Sequence, residues 1–163
     1  MAAATSGTAT VTLPSDTEIL ITREFDAPRH LVFRAWTTPE LVQRWWSGQQ
    51  GEMTSVEIDL RVGGMWRYVM DSGGQEIAFH GEYREIVPDE RIVTTEVYEG
   101  IPDDGGPPTL NLITFADLGG RTRLELLVKT PTKEVRDAIM DSGMEVGMQE
   151  QMDLLEQLAI SLG

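Results

Sequence analysis

The groups in this chain able to do acid–base, metal or nucleophilic chemistry are few and poorly spaced for it. There are two histidines and no cysteine, which excludes disulfides, thiolate nucleophiles and zinc–thiolate sites at once. His30 and His80 lie far apart, and neither has a second ligand at metal-binding spacing. His30 falls on the expected exposed side of a helix. His80 falls in a strand between Phe79 and Gly81. It is either a solvent-facing neighbour of Glu82 and Arg84 or an acid or base turned into a cavity. Ser47, Ser55, Ser72 and Ser142 sit in no Gly-x-Ser-x-Gly elbow. Neither a P-loop nor a dinucleotide fingerprint occurs, and the Gly63-Gly64 and Gly73-Gly74 pairs read as turns. Alternation sends most of Glu57, Asp59, Glu76, Glu82 and Glu85 to the outer face of a sheet. No paired acid–base signature emerges, so no catalytic residue, metal or cofactor is expected.

The aromatic and thioether side chains offer more. Met140, Met144, Met148 and Met152 recur every four residues, and the ridge continues through Leu155, Ala159 and Leu162. This spacing predicts one amphipathic helix from Pro131 to Leu162 with a single apolar face. Burying each such side chain contributes roughly 1.5–3 kcal/mol, so the face needs a partner surface. Glu134, Asp137, Asp141, Glu145, Glu150, Asp153 and Glu156 keep the rest of the helix in water. Trp45 and Trp46 close a short helix, and Trp66, Tyr68, Phe79 and Tyr83 occupy strands. The candidate ligand-contacting residues are therefore Trp45, Trp66, Tyr68, Phe79, His80, Tyr83, Met144, Met148 and Met152, with His80 or Thr94 fixing orientation by hydrogen bonds. The same side chains would equally serve a filled core, because methionine packs irregular gaps as readily as it lines adaptable pockets.

The elements that must hold these groups read as follows. Thr17 to Phe25 is a strand. Asp26 and Pro28 open a helix with Leu31, Val32, Ala35 and Trp36 on its apolar face, and Thr38-Pro39-Glu40 opens a second, shorter one. Strands follow at 56–61, 66–70, 76–87, 92–98, 109–116 and 122–129, separated by Gly- and Pro-rich turns. Glu99 to Pro108 is the irregular stretch. Hairpin-length connections favour antiparallel pairing, and the segregation of strands from helices favours an α+β fold. A curved sheet would wrap the C-terminal helix. At 163 residues the chain fits one domain, residues 16–163, preceded by a flexible tail at 1–15 to which Val11 and Leu13 could add strand. The formal net charge of −14 repels phosphate backbones and anionic lipid, so neither nucleic acid nor membrane is an expected partner. No secretory signal and no membrane span is read, and the lack of cysteine fits a cytoplasmic protein. Strand edges and the aromatic loop offer surfaces for a homodimer.

Taken in order, Arg23-Glu-Phe25-Asp-Ala-Pro28, Val32-Phe33, Ala35-Trp36, Thr38-Pro39-Glu40-Leu41 and Trp45-Trp46 resemble the START-like (helix-grip, SRPBCC) superfamily. More narrowly they resemble its branch named after the activator of Hsp90 ATPase. Asp59-Leu-Arg61-Val-Gly63-Gly64, Gly81-Glu-Tyr83, Ile86-Val-Pro88 and Gly143-Met-Glu-Val-Gly147 extend the resemblance from about Glu18 to Leu162. It implies a curved antiparallel sheet gripping a long C-terminal helix, with two short helices after the first strand. Relatives often carry an aromatic where this chain has Met148. The family includes ligand carriers, polyketide aromatase/cyclases, small-molecule resistance proteins and a chaperone activator, so fold does not decide function. The expectation is a binding protein for a small hydrophobic or polyaromatic molecule, acting as carrier, sensor or resistance protein. The alternatives are a cyclase- or hydrolase-type enzyme using the same cavity, and a protein-interaction module.

Overall fold

A computed structural model describes residues 9–48, 51–100 and 106–163. The periodic segments become strands β2 (Glu18–Phe25), β3 (Glu52–Ile58), β4 (Met65–Ser72), β5 (Gln75–Val87), β6 (Arg91–Tyr98), β7 (Thr109–Asp117) and β8 (Thr122–Lys129). A short strand, β1 (Thr10–Thr12), precedes them. Together they form one eight-stranded antiparallel sheet in the order β1-β2-β8-β7-β6-β5-β4-β3. Helices α1 (Arg29–Thr37) and α2 (Pro39–Val42) fill the connection from β2 to β3, which lie near opposite edges. Helices α3 (Lys133–Asp141) and α4 (Met144–Ser161) end the chain. The fold is α+β, with a sheet gripping a C-terminal helix. Ile19, Ile21, Phe25, Ile92, Ile113, Phe115, Leu124 and Val128 form the buried face of the sheet. They join Met148, Met152, Leu155, Leu158 and Ala159 of α4 in one core.

Two expectations about the ends are corrected. The single helix expected from Pro131 to Leu162 is broken. Ser142 donates its hydroxyl back to the Ile139 carbonyl at 2.6 Å, and Gly143 then takes φ = 81°, a left-handed conformation that ends a helix cheaply only at glycine. Apolar periodicity cannot register this break, because Met140 and Met144 keep their spacing across it. The methionine ridge is correct within α4, where Met148, Met152, Leu155 and Ala159 are all buried. At the other end, Thr10–Thr12 of the expected tail pair with β2, Thr10 opposite Thr22 and Thr12 opposite Leu20. Ala9 is held to α4 by two bonds, its N–H to Gln149 Oε1 at 3.0 Å and Gln149 Nε2 to its carbonyl at 2.8 Å. The remainder of that tail, residues 1–8, and the centre of the irregular stretch, residues 101–105, lie outside the described residues.

A buried ion pair fastens the sheet to α4. Arg23, in β2, has a fully enclosed side chain that meets Glu156 at 3.0 Å and Asp153 at 2.6 Å. Its guanidinium lies 5.2 Å from the Phe25 ring. The second oxygen of Glu156 accepts the Asp26 N–H at 2.8 Å. Asp26 was expected to cap α1 with its side chain. Pro28 is the N-cap instead, with no side-chain cap bond, and the Asp26 carboxylate faces Arg121 at 3.5 Å.

Candidate functional site

Residues directly opposite in neighbouring strands project from the same face. Trp66 and Tyr68 of β4 lie opposite Gly81 and Phe79 of β5. Phe79 and Tyr83 lie opposite Tyr98 and Thr94 of β6, and Thr94 and Glu96 lie opposite Asn111 and Thr109 of β7. One patch of the inner face thus collects aromatic and polar side chains from four strands. The Trp66 and Tyr68 ring centroids are 4.7 Å apart, and Phe79 and Tyr98 are 5.2 Å apart. Trp46, just after α2, closes over them edge-on, 5.2 Å from Tyr68 and 5.3 Å from Phe79. These spacings are those of favourable aromatic pairs.

A local opening of the β5–β6 ladder seats Trp66. Its indole N–H donates to the Thr95 carbonyl at 3.2 Å, while the Glu82 N–H turns to the Thr95 hydroxyl at 2.9 Å. Gly81 makes the arrangement feasible. A Cβ there would lie 1.9 Å from the Thr95 carbonyl oxygen and 2.5 Å from the Trp66 indole nitrogen, so no other residue fits without displacing one of them. The backbone of Tyr83 meanwhile bonds both turn glycines, accepting from the Gly63 N–H at 2.8 Å and donating to the Gly64 carbonyl at 2.9 Å.

The polar centre of the patch is Glu96. Burial pushes its carboxyl above the ordinary glutamate value, and a hydrogen bond from the Asn111 side chain opposes that rise. Glu96 is nevertheless only half-buried by exposure, as are Asn111 and Phe79. Glu96 is thus surrounded by protein yet keeps part of its surface open on the inner face. Burial also pushes up the Tyr68 hydroxyl, with smaller contributions from Tyr83 and Glu96. Burial does the same to Tyr83. Both phenols stay protonated and able to donate, beside a carboxyl that burial biases toward its protonated form.

The structure brings most of the expected contacts together. Trp66, Tyr68, Phe79 and Tyr83 share the inner face, and Met148 and Met152 are buried in the core that α4 completes. Met144 is half-buried against that core. Two expectations fail. Trp45 does not face this group: its indole N–H is committed to the Ala35 carbonyl at 2.9 Å, and its ring packs 4.8 Å from Trp36. The adjacent residue, Trp46, meets Tyr68 and Phe79 instead. His80 lies on the outer face opposite Arg67, and its Nδ1 sits 2.9 Å from Glu99. Glu99 also takes two bonds from Arg67, at 2.9 and 3.0 Å. Those bonds, then the one from His80, hold its carboxyl down at about 2. His80 therefore belongs to a surface ion-pair cluster. Glu96 and Asn111 were not singled out from the sequence. The available signal was parity, since Ile92, Thr94 and Glu96 alternate and the first is plainly apolar.

A separate depression of about 180 Å³, lined by Arg44, Leu154, Gln157, Leu158 and Ser161, shares no residue with this group. Among the described residues, no three His, Cys, Asp or Glu side chains are grouped to hold a metal, and no helix is long and apolar enough to cross a membrane.

Comparison with known proteins gives a consistent picture. The family model described as "Activator of Hsp90 ATPase homolog 1-like protein" matches residues 26–159. A solved protein from Rhodobacter sphaeroides is 25% identical, with a TM-score of 0.85 over 94% of this chain and 99% of that one. One from Chromobacterium violaceum is 29% identical, with a TM-score of 0.76 over 89% and 98%. An AHSA1-like protein from Aeromonas hydrophila, 21% identical, shares the fold with a TM-score of 0.64 over 88% and 94%. None of the curated proteins compared with the chain matches it.

Proposed function

We propose, from the premise that this chain belongs to the Activator of Hsp90 ATPase homolog 1-like family of helix-grip proteins, that it binds a small apolar, ring-bearing molecule between the sheet and α4. The observation that carries this reading is the partial accessibility of inward-facing groups. Phe79, Glu96 and Asn111 stay half-buried on the inner face, and Met144 at the start of α4, while Ile92, Ile113, Phe115 and Leu124 of the same face are buried. Leaving Glu96 and Asn111 reachable spares the cost of burying polar groups without full partners and keeps them available to a ligand. Aromatic walls with a few convergent polar groups are the general composition of small-molecule sites. The methionines of α4 would form a wall that adapts to ligand shape.

A thermal-shift screen against flat polyaromatics, fatty acids and sterol-like compounds tests this, with tryptophan fluorescence as a second readout. A ligand that binds only the folded state stabilises it by about 2.7 kcal/mol at a hundredfold excess over Kd. For a chain of this size, that is a shift of roughly 5–10 °C. Met148→Trp should narrow the recess and weaken binding of whichever class is selected. A panel that produces no saturable shift, or a hit whose affinity ignores both Met148→Trp and Phe79→Ala, would count against the placement.

A further inference from the structure

An apolar carrier has no evident need of a carboxylate inside its grip, yet Glu96 sits there, and its surroundings define what it would recognise. The influences on its carboxyl are the surrounding protein and Asn111, with no cation among them. Every lysine, arginine and histidine of the chain lies among the described residues. Asn111 can donate only through its amide, which leaves further lone pairs on the carboxylate. Thr94 flanks it on β6, with Tyr83 and Asn111 as its partners on either side. The Tyr68 ring is close enough for its hydroxyl to feel the Glu96 charge. Tyr68 in turn belongs to the Trp46, Trp66 and Phe79 ring cluster.

An uncompensated carboxylate beside several ring faces matches one chemistry well. Aromatic faces attract cations through their quadrupoles, and a carboxylate attracts them by charge and hydrogen bonding. A negative field from a net charge of −14 raises the local concentration of cations and excludes anions such as fatty-acid carboxylates. We propose that the molecule accepted here is a hydrophobic amine, its ring-bearing body lying along the Met148 and Met152 side and its ammonium N–H groups donating to Glu96 among the rings. The inference rests on the ligand-binding reading above and narrows it to a ligand class.

Three probes with one body separate the two: naphthalen-1-ylmethylamine, naphthalen-1-ylmethanol and 1-naphthoic acid, titrated at neutral pH by tryptophan fluorescence and calorimetry. The amine should bind the unaltered protein on the order of tenfold more tightly than the alcohol, and the acid should bind weakest. Glu96→Gln, which keeps the side chain's shape and a partner for Asn111, should erase that preference, weakening the amine on the order of tenfold. Equal binding of amine and alcohol by the unaltered protein overturns the amine proposal and leaves the pocket reading intact. So does an amine affinity that survives Glu96→Gln. Failure of all three probes, together with the wider panel, overturns both readings. The comparison within the unaltered protein does not depend on any variant folding.

Discussion

Replacing Glu156 by alanine offers the sharpest test of how α4 is held. The substitution strands Arg23, whose side chain is completely enclosed, with Asp153 as its remaining carboxylate partner, and that residue's side chain is 45% exposed. It also orphans the Asp26 N–H, in a site where Arg23 Nε already lacks a hydrogen-bond partner. Breaking one side of a buried pair costs about 3–5 kcal/mol, because the surviving charge stays buried. For a chain of this length, that corresponds to a fall in Tm of roughly 6–20 °C. Glu156→Gln keeps an acceptor for Asp26, so it should cost less than alanine. The double variant Arg23→Met/Glu156→Leu removes both charges and should recover much of the loss. Urea unfolding followed by circular dichroism and tryptophan fluorescence gives all of these values. A Glu156→Ala penalty below about 1 kcal/mol, or a double variant no better than the single, would refute the claim that an uncompensated charge is the cause.

Other outcomes follow from the same geometry. Glu96 titrates at a higher pH folded than unfolded, so its ionisation favours the unfolded chain, and the resulting loss of stability develops as pH rises from about 4.5 through the folded value. Glu96→Gln should therefore stabilise the protein at pH 8 relative to pH 4, as read by urea midpoints at the two pH values; a pH-independent difference would contradict the burial argument. Gly81→Ala forces a methyl into the Thr95 carbonyl and Trp66, and should cost on the order of 1–3 kcal/mol with a change in tryptophan emission. Glu99, held at about 2 by Arg67 and His80, should titrate near that value by carboxyl NMR. Its contribution to stability is present above the ordinary glutamate value and fades as pH falls toward 2. Arg67→Ala should raise the midpoint, and an unmoved midpoint would show that the bidentate pair is not formed in solution.

Much of this fold was legible because its signals are periodic. Alternation in Trp66–Met70 and Ile92–Tyr98 marked strands and their faces, and the four-residue methionine spacing marked the buried side of α4, whereas the strand expected at 56–61 is shifted, since β3 runs Glu52–Ile58 and Leu60 is exposed. What escaped depends on local geometry that periodicity does not carry. Trp45 and Trp46 are adjacent where a helix ends, so they project in different directions, and only the loop geometry decides which meets Tyr68. His80 follows strand parity faithfully, since Phe79 faces inward and its neighbour must face outward. Of the two readings the sequence offers for it, the solvent-facing one holds. Glu96 is the converse case: parity placed it inside with Ile92 and Thr94, whereas its charge argued for water. The break at Gly143 was invisible to hydrophobic spacing, though a glycine flanked by serine and methionine was the cue to hold against a continuous helix.

The ties that complete the grip join residues made far apart in time. Arg23 waits for Asp153 and Glu156, Asp26 waits for Glu156, Ala9 waits for Gln149, and the Ser15 carbonyl waits for Arg136. On the ribosome, β2 emerges with a guanidinium whose partners lie 130 and 133 residues downstream. At about 5–20 residues per second, that delay lasts roughly 7–27 s. During this interval the sheet can pair but cannot close over its helix, because α4 is made after every strand. Nascent chains stalled before Asp153 should therefore expose the apolar inner face to chaperones, and emergence of α4 should end that exposure in a single step.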